Sequence, residues 1–111
     1  MDKLYIIGIR YNPQLGSYLS KAVVAASKVN KTCISAKFDD YGSATVLKFS
    51  LQPNINGRHY CKSAQQCAYG DYEYIGFSDK AKAIEELQKW LNVSGCSSER
   101  AKAGIQKFEA A

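Results

Sequence analysis

Residues 70–91, GDYEYIGFSDKAKAIEELQKWL, contain the clearest change of pattern in the chain. The first part is rich in aromatic and β-branched side chains, which predicts a strand that ends near Phe77. Ser78 then predicts the N-cap of a helix, and Asp79 an acid in its first turn. An apolar stripe follows at intervals of three and four residues: Ala83, Ile84, Leu87, Trp90 and Leu91. A strand followed by an amphipathic helix predicts a small α+β domain.

The residues before this stretch carry further strand patterns. Residues 4–11 are apolar on both faces, which predicts a strand inside the sheet. Residues 32–38 and 45–51 alternate on either side of a turn at 39–43, which predicts a hairpin. Residues 58–62 predict a further short strand, and the polar residues 63–70 predict a loop.

Residues 17–29, SYLSKAVVAASKV, fit both a helix and a strand. An apolar stripe favours a helix capped by Ser17 or Ser20, and its members are Leu19, Ala22, Val23, Ala26 and Val29. The adjacent Val23 and Val24, and the lack of acidic residues in the first turn, favour a strand. Of the two we favour the helix.

The end of the chain predicts a last short helix. Asn92 to Gly95 stop the preceding helix, and Ser97 or Ser98 can cap the next one. Its apolar positions would dock on the core: Ala101, Gly104, Ile105 and Phe108. The sequence therefore predicts one α+β domain over residues 1–111, with an antiparallel sheet of four to five strands and two to three helices packed on one face.

Length and composition fit a single cytoplasmic domain. The 111 residues are 46% hydrophobic, enough for one core and too few for two. The amino terminus lacks the long apolar run of a signal peptide, and no segment is long enough to span a bilayer. In the cytoplasm the four cysteines are expected to be reduced: Cys33, Cys61, Cys67 and Cys96.

Positive charge is concentrated in the first two thirds of the chain. Residues 1–70 carry nine Lys and Arg against three acids, a net charge of +6, whereas residues 71–111 carry six against seven, a net charge of −1. The basic part is the one that can meet a polyanion or an acidic protein surface. Scattered lysines also keep small proteins soluble, so charge alone does not distinguish the two roles.

No group of residues predicts catalysis or a cofactor. His59, Cys61 and Cys67, joined by Cys96, could ligate zinc, but the spacing lacks a C-x2-C pair. His59 could also activate Cys61 or Cys67, but no nucleophile motif surrounds them. Gly-rich phosphate loops are absent. We therefore expect a protein that is not an enzyme and holds no metal or cofactor.

Tyrosine is the most informative residue type, with eight in the chain. Tyrosine is enriched in binding surfaces because it buries a large area with few rotatable bonds, and it can stack on exposed bases. Tyrosines that flank the core and form cross-strand pairs are the alternative interpretation for part of this set. The predicted binding surface combines tyrosines with basic residues: Tyr41, Lys48, Arg58, Tyr60, Lys62, Tyr69 and Tyr72.

Residues 72–108 resemble small phage-encoded anti-CRISPR proteins. The shared features are a strand ending in Phe77-x-Asp79, a helix containing Trp90, a break at Gly95 and a final short helix. This arrangement is similar to one inhibitor of the type I-F surveillance complex. Residues 12–18, NPQLGSY, also resemble a segment of small phage proteins. The resemblance implies stoichiometric inhibition of a bacterial protein or ribonucleoprotein complex that targets nucleic acid.

Residues 32–91 also resemble the three-stranded-sheet DNA-binding domains of some phage-type integrases and plant ethylene-response factors. The resemblance implies a sheet in the DNA major groove, buttressed by the helix, with Lys37, Lys48 and Arg58 reaching the DNA. The dense Arg and Trp pattern of those sheets is missing, and Asp39 and Asp40 at the hairpin tip would repel phosphate. We therefore expect an anti-CRISPR-like inhibitor with direct nucleic-acid contact as an option, and a DNA-binding domain as the alternative.

Overall fold

The computed structural model describes residues 3–14, 16–40, 42–61, 65–67, 70–93 and 95–111, with the backbone alone at 40, 65–67, 70 and 71. Seven strands and two helices lie in these ranges. The strands are β1 (Lys3–Asn12), β2 (Gly16–Val29), β3 (Ile34–Asp40), β4 (Ser43–Phe49), β5 (His59–Tyr60), β6 (Gln65–Cys67) and β7 (Gly70–Phe77). The helices are α1 (Lys80–Gln88) and α2 (Cys96–Ala110).

All the described strands belong to one antiparallel sheet in the order β4-β3-β2-β1-β7-β5, and β6 also pairs with β7. The predicted hairpin is confirmed as β3 and β4, which pair from Ile34↔Phe49 to Asp40↔Ser43. The predicted interior strand is also confirmed, because β1 lies between β2 and β7.

The sheet is curled, and its two ends meet. Phe49 at the end of β4 forms an antiparallel bridge with Cys61, just after β5. The Ser50 N–H donates to the Tyr60 carbonyl at 2.8 Å, and the buried His59 Nδ1 donates to the Ser50 carbonyl, also at 2.8 Å. We call this junction the seam.

Two buried clusters lie on the opposite faces of β1. Leu4 and Ile6 face the inside of the curled sheet, where they meet residues of β3 and β4 such as Leu47. Tyr5 and Ile7 face outward, where they meet α1 and α2. The helices therefore cover the outer face of β1, β2 and β7, as α+β packing requires.

The prediction of a helix at 17–29 is wrong, because these residues form β2. The register with β1 shifts between Gly8, which pairs with Lys21, and Ile9, which pairs with Leu19. The extra residue puts Leu19 and Ala22 in the same cluster although they are three positions apart. A bulged strand thus imitates the spacing of a helix.

Ala22 of β2 allows close packing against α2. A Cβ on Gly104 of α2 would lie 2.8 Å from the Ala22 Cβ, nearer than real Cβ contacts. The Lys107 Nζ donates to the Ala22 carbonyl at 2.9 Å. The small residues at 22 and 104 therefore let α2 lie directly on the strand.

Both helices begin differently from the prediction, and α1 begins one residue later, because Asp79, expected as an acid of the first turn, takes the N-cap position expected for Ser78. The Asp79 side chain accepts from the Ala81 N–H, which makes Asp79 the N-cap of α1. Gly95, with φ 88°, is the N-cap of α2, so neither Ser97 nor Ser98 caps it. The Ser97 hydroxyl instead accepts from the Leu19 N–H at 3.0 Å. Helix α2 spans 15 residues and is longer than expected.

The α+β class and the helix count agree with the prediction, whereas four to five strands was too few. The sheet is extended by β2, and β6 occupies part of the predicted loop at 63–70. In the part of the chain that the structure describes, neither helix is long and apolar enough to cross a membrane.

Candidate functional site

Three lysines project from the outer face of β2, β3 and β4, beyond the area that the helices cover. Lys28 pairs with Ser35, which pairs in turn with Lys48, and Lys37 pairs with Val46. All three lysines are exposed, whereas Ile34, Ala36, Leu47 and Phe49, which alternate with them on β3 and β4, are buried. We define the lysine face by five residues: Lys28, Ser35, Lys37, Val46 and Lys48.

The register places the three lysines close together. Neighbouring strands lie about 4.8 Å apart, so the backbones at Lys28 and Lys48 are separated by about 10 Å across Ser35. Val46 is 55% exposed, and a shallow groove of about 320 Å³ runs between it and the aliphatic stems of Lys28 and Lys37. The face thus combines three ammonium groups with a small apolar floor.

The lysine face is positive without an acidic partner among the described side chains. The ion pairs among the described residues involve the helices instead: Glu86 binds Arg58 and Lys89, and Glu99 binds Lys102. Asp39 follows Lys37 on the same side of β3 and is exposed at the hairpin end. The positive area therefore ends towards the hairpin tip and continues towards the seam.

Tyr60 lies at the seam end of the lysine face. Ser50, two residues beyond Lys48, donates its N–H to the Tyr60 carbonyl, and the Tyr60 N–H donates to the Ser50 hydroxyl at 3.1 Å. Tyr60 is 45% exposed, and its hydroxyl accepts from Asn54 Nδ2 at 2.8 Å. Lys48 and Tyr60, both predicted from the sequence, thus lie beside each other at the surface.

Two other predicted residues lie elsewhere. Arg58 Nη2 binds Glu86 Oε2 at 2.7 Å and lies against α1. Tyr72 is half-buried, and its ring stacks on that of Tyr74 with centroids 5.6 Å apart. Arg10 lies 5.0 Å from the Tyr72 ring centroid and Lys21 lies 5.6 Å from it. Both Arg58 and Tyr72 therefore have internal structural contacts.

Tyr41, Lys62 and Tyr69, the remaining predicted binding residues, lie outside the described residues. Sequence reasoning missed Lys28, because it placed this residue in a helix. The signal that could have found it is its spacing of two residues from Ala26 and four from Val24, which places all three on one face once residues 17–29 are taken as a strand. Lys37 was predicted as a binding residue only through the resemblance to DNA-binding sheets.

The His and Cys residues are spread through the fold. His59 is buried and held by the Ser50 carbonyl, Cys61 packs inside the curled sheet, and Cys96 is exposed at the start of α2. No group of three or more His, Cys, Asp or Glu is placed to hold a metal ion among the described residues, which do not include the side chain of Cys67.

Cys33 is a buried thiol at the turn between β2 and β3. Burial raises the pKa of this thiol, but hydrogen bonds with Asn30, Thr32 and Ser35, together with the charge of Lys48, outweigh burial and hold the pKa below its ordinary value. The field of Lys48 therefore acts on the turn behind it as well as on the surface.

The DNA-binding alternative predicts a three-stranded sheet supported by α1, and the structure shows a different arrangement. A three-stranded sheet backed by α1 would have to lie within residues 32–91. However, β3 pairs with β2 and β4, the sheet reaches β7 from β4 only through the seam and β5, and α1 packs on β1, β7 and α2. The strands that carry Lys37 and Lys48 are therefore not the ones that α1 supports.

Comparison with protein-family models, with curated proteins and with solved structures finds no match to this chain.

Proposed function

We propose that this chain is a non-enzymatic binding protein that docks its lysine face on a nucleic-acid-containing complex, in the manner of an anti-CRISPR-type inhibitor of a bacterial defence system. Its partner would be a protein or ribonucleoprotein complex with a negatively charged surface. Binding would be stoichiometric, because inhibition would come from occupying a surface that the complex needs.

The observation that carries this proposal is the set of three exposed lysines on adjacent strands. Lys28, Lys37 and Lys48 lie on one face of adjacent strands, and none of them forms an ion pair with a described acid. Like charges held together repel, which costs stability unless a partner compensates them. A polyanion or an acidic protein surface supplies that compensation.

The seam supports a binding role over a catalytic one. His59 is the one histidine in the chain, and its Nδ1 is used by the Ser50 carbonyl inside the protein. A general base must reach the proton that it abstracts from a bound substrate. The buried His59 ring, which helps to close the sheet, therefore has a structural role in this proposal.

The second candidate function is direct binding to DNA or RNA without a protein partner. The same three lysines favour it, because ammonium groups contact phosphates and release counterions. Tyr60 at the end of the lysine face could stack on an exposed base. This candidate needs the lysine face alone, whereas the first needs a protein surface as well.

A tagged pull-down from bacterial lysate, with and without nuclease, tests the proposal. The test variant is Lys37→Glu with Lys48→Glu, and the control is Lys80→Glu with Lys102→Glu on the helices. Each pair changes the net charge from +5 by −4, giving +1.

A protein complex identified by mass spectrometry, resistant to nuclease and lost only with the test variant, is the expected result. Recovery of nucleic acid alone, removed by nuclease or by high salt, would favour direct binding. Equal recovery with the test and control variants would exclude the lysine face as the binding site.

A further inference from the structure

The loop at residues 54–58, next to the seam, has a backbone fixed by its own hydrogen bonds. Asn54 Oδ1 accepts from the Asn56 N–H at 2.9 Å and from the Arg58 N–H at 3.0 Å. The Asn54 N–H donates to the Arg58 carbonyl, and the Gly57 N–H donates to the Asn54 carbonyl, both at 2.9 Å. Gly57 takes φ 80°, which favours glycine. The loop is therefore preorganised.

Ile55 is displayed at the tip of this rigid loop. It is 96% exposed, whereas the other large exposed hydrophobic side chains among the described residues are between 38% and 55% exposed. A flexible loop can fold an apolar side chain back onto the protein, but the hydrogen bonds around Asn54 hold this one out. Preorganisation lowers the entropy lost on binding, so an apolar residue held in this way is suited to anchor an interface.

A charged groove separates the Ile55 loop from α1. Its volume is about 220 Å³, and it is lined in part by Arg58, Lys82, Lys89, Glu85 and Glu86. Glu86 is buried and binds both Arg58 and Lys89 through one oxygen. Three cations against two acids leave the groove with a charge of +1. An acidic side chain complements it.

We propose that the loop at 54–58 is a protein-binding element, in which Ile55 enters an apolar pocket of the partner and an acidic residue of the partner enters the groove beside α1. This inference rests on the proposed function for the partner, and it identifies that partner as one with a protein subunit at the surface. Nucleic acid does not fit this element, because isoleucine offers no aromatic ring for a base and no hydrogen-bond donor for a phosphate.

The loop and the lysine face lie side by side at the surface. Asn54 binds the Tyr60 hydroxyl, Tyr60 is bonded to Ser50, and Ser50 lies two residues from Lys48. One partner can therefore contact phosphates at the lysine face and a protein pocket at Ile55. A ribonucleoprotein complex has both chemistries on one surface.

Site-specific photo-crosslinking tests the inference separately from the proposed function. A benzophenone amino acid replaces Ile55, Lys48 or, as a control, Lys102 on α2, and each full-length protein is irradiated in bacterial lysate. The expected result is an adduct from position 55 that resists nuclease and is digested by protease, with none from position 102. Mass spectrometry then identifies the subunit.

The other outcomes show which of the two proposals fails, the lysine face or the protein-binding loop. An adduct from position 48 without a nuclease-resistant adduct from position 55 would overturn the protein-binding loop and keep the lysine face. An adduct from position 55 alone would keep the loop and overturn the lysine face. The absence of adducts from both positions would overturn both.

Two substitutions then test the loop on the subunit so identified. Ile55→Ala is expected to weaken its binding at least tenfold, because the apolar anchor is removed. Asn54→Ala is expected to weaken binding without removing a contact to the partner, because the loop backbone loses the hydrogen bonds that preorganise it. Gln52→Ala, an exposed neighbour, is the control with unchanged affinity. Equal affinity of Ile55→Ala and the unchanged chain would overturn the inference.

Discussion

Gly104 is the point at which α2 lies closest to the sheet, and Gly104→Ala tests that contact. The new Cβ would lie 2.8 Å from the Ala22 Cβ and 2.9 Å from Leu87 Cδ1. Carbon atoms in contact prefer about 3.5–4.0 Å, so about 0.7 Å or more must be made up on the Ala22 side. Leu87 can rotate, but the Ala22 Cβ is fixed to the backbone of β2.

Two effects of opposite sign decide the outcome. Replacing glycine by alanine inside a helix stabilises the helix by about 1 kcal/mol. Overpacking a close contact costs about 1–3 kcal/mol. We expect overpacking to prevail, with a net loss of about 1 kcal/mol, which lowers the Tm by about 4–5 °C for a chain of this size.

Thermal unfolding followed by circular dichroism measures this effect, and a double-mutant cycle assigns its cause. In an Ala22→Gly background the opposing Cβ is gone, so Gly104→Ala should stabilise the protein by up to about 1 kcal/mol. The sign of the effect therefore reverses between the two backgrounds. If Gly104→Ala instead raises the Tm by 4 °C or more in the unchanged chain, the close contact between α2 and β2 is refuted.

Three further predictions concern charge and capping. If the partner is a DNA duplex, alanine at all three lysines of the lysine face removes up to three phosphate contacts, so the negative slope of log K against log salt should become less steep by up to about 2.7 in fluorescence anisotropy titrations. Lys102→Ala should leave this slope unchanged. Glu86→Ala should destabilise the fold by about 1.5–3 kcal/mol in urea unfolding, because two charged hydrogen bonds are lost, while the exposed Glu85→Ala changes stability by less than about 0.5 kcal/mol. Asp79→Ala should cost about 1 kcal/mol in the same assay, and Ser78→Ala should cost little, since the Asp79 carboxylate caps α1; equal costs for the two would contradict this cap.

Local sequence patterns predicted the elements in which apolar residues recur at a single spacing, of two residues in a strand or three to four in a helix. The hairpin of β3 and β4 alternates between buried and exposed residues, and Asp79 precedes an apolar stripe at helical spacing. In these segments the side-chain period and the backbone conformation agree. Their prediction needed no knowledge of distant contacts.

The segment at 17–29 could not be assigned in this way. One extra residue near Ser20 shifts the register between β1 and β2. Ala22 packs against Gly104, which lies more than eighty residues further along the chain. Neither fact is visible in a window of neighbouring residues. Tertiary contact overrode local propensity here.

The candidate binding surface was predicted only in part, for a related reason. Lys48 and Tyr60 could be chosen by residue type, but their proximity depends on the seam, which the strand order creates. Arg58 could equally be chosen, yet it is held by Glu86 of α1. Residue type suggests which side chains can bind, and the fold decides which of them are available.

The seam joins the two ends of the sheet through residues that are close in sequence. Phe49 and Cys61 close a structure whose strands run from residue 3 to residue 77. The seam is held by a few hydrogen bonds, whereas β1 pairs with β2 and β7 along most of its length, so the two edges can separate while β1, β2 and β7 stay paired. The short connection keeps the entropy cost of closing them again small. Hydrogen exchange at the Ser50 and Tyr60 amides should therefore occur by local opening, faster than exchange in β1. A partner that binds the loop at 54–58 would slow this exchange.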